Sequence, residues 1–232
     1  MQKQLMRCVK RYCLFNHSRL SVELQLFLED PSLDQDCEFL WRFAKACIIW
    51  ANSMEKKNSL RKTVIFEGRG YALKAYTINE NSFEALRWTA VLTGAATEFL
   101  GVRERIREGK VFTDYLDRAI AIEPKEFTLL HLRGRFSFEV ANLSWLEKKV
   151  ANTLFSGVPD CTTEDALSDF LEAEKYAPFA WADNLLFIAR CYAVKKEKKL
   201  AADYIKKIEA MDKLEDAVVE GLKEVRNSLA KK

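Results

Sequence analysis

The side chains best suited to chemistry are few and scattered in this sequence. Its two histidines, His17 and His131, have no acids or cysteines at ligand spacing, so neither points to a metal. His131 lies among Leu129, Leu130 and Leu132 and reads as a packed or half-exposed structural histidine. The six cysteines (Cys8, Cys13, Cys37, Cys47, Cys161, Cys191) form no CxxC pair. Several sit among apolar residues at helical spacing, which predicts buried free thiols in a reducing compartment. Glu67-Gly68-Arg69-Gly70 lacks the GxxxxGK[ST] pattern and a preceding strand, so it reads as a point of close helix packing. No GxSxG, HExxH or paired Cys/His arrangement occurs. We expect no catalytic residue, no metal site and no cofactor, and hence not an enzyme.

Binding chemistry is better represented. Arg103, Arg105, Arg107 and Lys110 cluster in and after an expected short turn, with Glu104 and Glu108 interleaved. Lys195, Lys196, Lys198 and Lys199 occupy a turn between two expected helices. Each set reads either as a solvated face or as a positive ridge for an acidic partner, with salt-sensitive attraction. The segment Leu143-Ser144-Trp145-Leu146-Glu147-Lys148-Lys149 differs in kind: Ser144 and Glu147 have capping-box spacing, and Trp145 suggests an added helix that docks back onto the body. Phe136, Phe138, Trp145, Phe155 and Trp181 would line an apolar groove, if they are not core.

These residues must be positioned by helices. Only 8 Gly and 4 Pro occur in 232 residues, too few for the turns of a many-stranded fold, and 49% of residues are hydrophobic. Apolar residues at three- and four-residue steps place helices at about 34–54, 59–77, 82–99, 110–121, 126–141, 144–155, 163–176, 179–194, 197–211 and 213–229. Asp34 is the expected cap of the first, whose apolar girdle predicts packing on more than one side. The domain division expected is 1–33, a basic segment with a short helix, and 34–232, a helical repeat domain. No stretch approaches 18 uninterrupted apolar residues, so no transmembrane segment is expected. Before Glu23 there are five basic residues and no acid, a poor secretory signal that also fits a mitochondrial presequence. The net charge of +3 is too small to argue for nucleic acid.

The helices carry an internal period. Leu185, Ile188, Ala189 and Tyr192, followed by Ala201 and Ile205, fit the large and small positions of a tetratricopeptide unit. Ala166, Phe170, Ala173 and Pro178 form the second half of another, with Gly134 at the small position of its first helix. Leu116, Ala119 and Pro124 repeat that ending, Ala72, Ala75 and Glu80 more weakly, and Trp41 and Trp88 read as opening residues. The fold expected is all-α, a tetratricopeptide-like antiparallel helix-pair solenoid with inserted helices.

The stretch LSWLEKK at Leu143–Lys149, followed by Ala151, Thr153 and Leu154, resembles the regulator of microtubule dynamics family. Glu67-Gly68-Arg69 with Tyr71-Ala72-Leu73-Lys74-Ala75 agrees, as do Trp88 with Ala90-Val91-Leu92 and Gly101-Val102-Arg103 through Phe112. So does Asp165-Ala166-Leu167 with Phe170-Leu171 and Ala173-Glu174, and the likeness runs from about Asp34 to Met211. The resemblance implies a domain that associates with microtubules and the spindle and helps chromosomes segregate, with tubulin and spindle proteins as partners. Some relatives instead sit on mitochondria or membrane contact sites, where phospholipid binding is implicated. Those relatives carry an N-terminal hydrophobic anchor that residues 1–33 lack, which favours a cytoplasmic, cytoskeletal member with the mitochondrial location as the alternative. It carries over no catalytic residue.

Overall fold

The computed structural model describes residues 31–145, 148–149 and 160–230. The expectations for residues 1–30 lie outside these, as do those for Leu146, Glu147, Ala151, Thr153, Leu154 and Phe155, and with them most of helix 144–155. The described chain is all-α, with α1 (Cys37–Asn52), α2 (Ser59–Ile78), α3 (Phe83–Ala96), α4 (Val102–Ile122), α5 (Phe127–Ala141), α6 (Thr163–Tyr176), α7 (Ala182–Val194), α8 (Lys198–Glu209) and α9 (Asp216–Ala230). Short 3-10 turns stand at Pro31–Gln35 and Thr97–Phe99. The helices fall into two compact units that divide between Ala119 and Ile120.

In the first unit α1 packs on both α2 and α3. Its start corrects the expectation: Asp36, not Asp34, accepts from the backbone N–H of Glu38 at 2.8 Å and of Phe39 at 3.1 Å. Asp34 lies two residues too early and instead pairs with Lys74 of α2. Leu40, Phe43, Cys47 and Trp50 of α1 are buried against Val64, Ile65 and Tyr71 of α2 and Trp88 and Leu92 of α3. Phe43 meets Tyr71 edge-on at 4.7 Å. Gly68 explains the Glu67–Gly70 segment: a Cβ there would stand 2.7 Å from the Cys47 Cβ and 3.5 Å from the Ala44 carbonyl oxygen. The missing side chain lets α1 and α2 approach.

α4 starts eight residues before the expected 110. Gly109, just before the expected start, is buried and the helix runs through it. Contacts on both sides hold the helix in place. Glu108 pairs with Arg69 of α2, and the Phe112 ring fills the space over Gly94 of α3, 3.1 Å from where a Cβ would be. A tertiary anchor of that size outweighs the roughly 1 kcal/mol helix penalty of one glycine. Arg103, Arg105 and Arg107 therefore sit in the first turns of a helix, not in a turn before one.

In the second unit Thr162 and Asp165 form a reciprocal capping box that starts α6. The helix stops at Ala177, whose extended backbone suits the Pro178 that follows. α7 begins at Ala182 rather than 179, leaving Pro178–Trp181 as a non-helical connection. Gly134 of α5 lies under Phe170 of α6: a Cβ would meet the ring at 2.8 Å and the Ala166 carbonyl oxygen at 3.1 Å. Ala166, Phe170 and Ala173, then Leu185, Ile188 and Ala189, then Ala201 and Ile205, are all buried. α7 is central, packing on α5, α6, α8 and α9. No described helix is long and apolar enough to cross a membrane.

Candidate functional site

The four lysines around the α7–α8 connection are not equivalent. α7 ends in a Schellman-type turn, with the Lys196 N–H donating to the Ala193 carbonyl at 3.1 Å and that of Glu197 to Tyr192 at 2.9 Å. The geometry needs a left-handed residue after the cap, and Lys196 takes it at φ 61°, where glycine is usual. Lys195 is held 3.3 Å from both Glu164 and Glu197, and those carboxylates raise its pKa. It belongs to the framework of the turn. Lys196, Lys198 and Lys199 are exposed and have no ion pair among the described residues, with Lys198 and Lys199 in the first turn of α8 rather than in the turn itself.

The Arg103–Lys110 set is more dilute. Arg103, Arg105, Arg107 and Lys110 are exposed along the start of α4. Arg107 approaches Glu108 at 3.9 Å, while Glu108 is committed to Arg69, both of that pair being mostly sheltered. Acids thus alternate with the bases on one helix, and a partner would meet a mixed field.

Trp145 does not dock back as expected. It is 74% exposed, with the Lys149 ammonium 5.1 Å from its ring centroid. Lys148 turns back to donate weakly to the Ala141 carbonyl at 3.4 Å. Of the side chains expected to line a groove, Phe138 and Trp181 also make aromatic contacts. Phe138 packs edge-on against Phe187 at 5.8 Å, and Trp181 lies tilted against His131 with ring centroids 4.2 Å apart. Two of the expected lining side chains therefore contribute to packing.

His131 is only 2% exposed and sits at a polar relay that the sequence did not reveal. The Asn184 side-chain amide donates to the Phe170 carbonyl at 2.9 Å. That fixes its Oδ1 as an acceptor toward His131 Nδ1 at 2.8 Å, so Nδ1 carries a hydrogen. Nε2 faces the Asp183 carboxylate at 3.2 Å. Burial works to raise the Asp183 pKa but is outweighed by the His131 hydrogen bond and by the charges of His131, Arg135 and Arg190, and the net shift is downward. α5, α6 and α7 are thereby tied at one point, and Arg133 adds a two-pronged bond to Asp169 at 2.7 and 2.9 Å. The available signal was Asn184 itself, a polar side chain entering an apolar run, Leu185 to Ala189.

Beside this relay lies an open cleft of about 620 Å3, lined by Glu174, Pro178, Phe179, Trp181, Asn184 and Lys207 among others. Phe179 is 58% exposed at its edge, and Lys207 pairs with Glu174 at 3.1 Å. Cys47 and Cys191 are buried free thiols, Cys37 and Cys161 half-buried ones. Burial, with Glu164 nearby, pushes Cys191 up to about 12. Among the described residues no group of three His, Cys, Asp or Glu side chains is placed to hold a metal ion.

Comparison with known proteins follows this geometry. A family model described as Regulator of microtubule dynamics protein 1-3 matches residues 14–232. The chain is 41% identical over 186 residues to Regulator of microtubule dynamics protein 1 of Caenorhabditis elegans, covering 80% of each. It is 36% identical over 169 residues to Regulator of microtubule dynamics protein 2 of Macaca fascicularis, covering 72% of this chain but 40% of that one. Against Regulator of microtubule dynamics protein 3 of Xenopus laevis it is 35% identical over 188 residues, again spanning about two-fifths (39%) of the relative. Among solved structures, one titled MamA RS-1 ArsTM double mutant matches with a TM-score of 0.53 at 13% identity, covering 99% of this chain and 97% of that one, a likeness of fold. By the span of the family model and the identity to these relatives, the chain belongs to the regulator of microtubule dynamics family.

Proposed function

We propose that this chain is a non-catalytic protein that binds microtubules, on a tetratricopeptide-like scaffold, and acts at the spindle in chromosome segregation. The observation that carries the reading is the exposed lysine set Lys196, Lys198 and Lys199, which has no ion pair among the described residues. A surface of that kind suits the acidic outer face of tubulin, and the names of the relatives point to the same partner. Co-sedimentation of the purified chain with microtubules tests it. The expected result is pelleting that falls steeply as salt rises. No pelleting at low salt would end the reading. Imaging of the tagged chain should place it in the cytoplasm and on the spindle rather than on mitochondria.

The cleft beside Phe179 and Trp181 favours a second reading, a lipid- or peptide-binding module at mitochondria or membrane contact sites. Mass spectrometry of the purified protein tests this one. A co-purifying lipid, or lipid taken up from vesicles, supports it, and a clean protein mass after vesicle incubation counts against it.

A further inference from the structure

We infer that the tip of the α7–α8 hairpin is a reader of acidic peptide segments. Lys196, Lys198 and Lys199 supply the charge there, and the exposed Val194 and Leu200 supply an apolar contact on either side. The inference rests on the microtubule reading above and narrows it to one surface and one class of partner.

The warrant is a concentration of locally unfavourable choices. Lys196 holds a left-handed backbone that costs a side-chain-bearing residue about 1 kcal/mol or more. Lys198 and Lys199 stand in the first turn of α8, where the helix dipole disfavours positive charge, and no acid accompanies them in that turn. Val194 and Leu200 are 48% and 42% exposed on the same tip. The interior of the hairpin shows none of this: Ile188, Ala189, Ala201 and Ile205 are buried at suitable positions. A tip that breaks local rules above a hairpin interior that keeps them points to the tip as functional. Carboxylates from a partner would relieve the charge crowding.

The composition of the tip selects the partner. Glu197 lies inside the patch and Glu164 beside it, both held by Lys195. A flat anionic bilayer would have to cover those carboxylates along with the lysines, whereas a narrow segment can follow the lysines alone. The tip has no arginine fork and no aromatic ring for nucleic acid to stack on. An extended acidic peptide with an apolar residue fits best.

The test uses the full chain and a fluorescent peptide of eight glutamates, read by anisotropy at low salt. Wild type should bind, and K196E/K198E/K199E should bind about tenfold more weakly or worse. The milder K196Q/K198Q/K199Q, chosen to preserve folding, should also weaken binding, while R103E/R107E/K110E should change it less than about twofold. Microtubule pelleting of the same proteins separates the two readings. Peptide binding that the hairpin variants abolish, without pelleting of wild type, keeps the inference and removes the microtubule reading. Pelleting that ignores the hairpin variants, or a peptide that does not bind, overturns the inference. Capture of wild type by phosphatidylserine vesicles in place of the peptide overturns it in favour of a membrane surface.

Discussion

The two units close their helix seams alike and treat buried polar groups differently. In each, a glycine admits a neighbour: Gly68 opposite Cys47 in the first, Gly134 beneath Phe170 in the second. The first unit then leaves the Trp41 Nε1, a Glu67 carboxylate oxygen and the Thr89 hydroxyl without a hydrogen-bond partner among the described residues. Burial accordingly raises the Glu67 pKa. The second unit joins His131, Asn184 and the Phe170 carbonyl into a relay and adds the Arg133–Asp169 fork. Apolar shape tolerates small slips of one helix along another. A chain of directed hydrogen bonds does not, so the relay specifies the register of α5, α6 and α7 a second time.

The largest expected effect strikes the shared device. Phe170→Ala empties the space over Gly134 and should cost about 3–5 kcal/mol in denaturant unfolding, with faster hydrogen exchange in α5, α6 and α7. The first unit's counterpart is Glu108→Ala, which strands the sheltered Arg69; we expect a loss of about 3 kcal/mol and exchange rising in α2 and α4. Next comes Asn184→Leu, an apolar side chain of similar size that removes the cross-helix bond to the Phe170 carbonyl and leaves the His131 Nδ1 unpaired, at about 2 kcal/mol. Should it prove neutral, the relay specifies nothing and the comparison collapses. Lys196→Gly runs the other way, raising stability by about 1 kcal/mol as the left-handed backbone relaxes.

Acid sharpens the same contrast by a smaller amount. The folded Asp183 pKa is depressed, so its contribution is complete above the unfolded Asp value and disappears as pH falls through the folded one. Asp183→Asn should therefore flatten the loss of stability below about pH 4. Stability measured in denaturant across that range checks it, and identical acid profiles for the two proteins would show that the bond contributes nothing.

Much of this was legible in the sequence because short-range chemistry encodes it. The span 163–176 follows from its capping residues and the proline beyond, and Gly134 with Ala166, Phe170 and Ala173 follows from size alternation. Misreadings arose where a distant contact overruled a local cue. The helix expected from 110 begins at Val102, with Glu108 and Phe112 anchored on α2 and α3. Asp34 looked like a cap until Asp36 proved better placed. Trp145 was read as docking because large aromatics usually do, and here it is exposed.

The candidate surface divides the same way. That Lys195, Lys196, Lys198 and Lys199 gather at one hairpin is a property of the sequence, because the helices on either side are set by periodicity. Which of them is available is not. Glu164, a distant acid at the start of α6, reaches Lys195 and removes it from the set. Likewise the sequence contains Asn184 and His131, and packing alone brings them to 2.8 Å. Residues three or four apart meet on every turn of a helix, whereas pairs across a seam depend on how each helix is rotated and shifted against the next. The sequence thus determined the helices, their small-residue seams and the positions of charge, and the tertiary structure decided which charges were left for a partner.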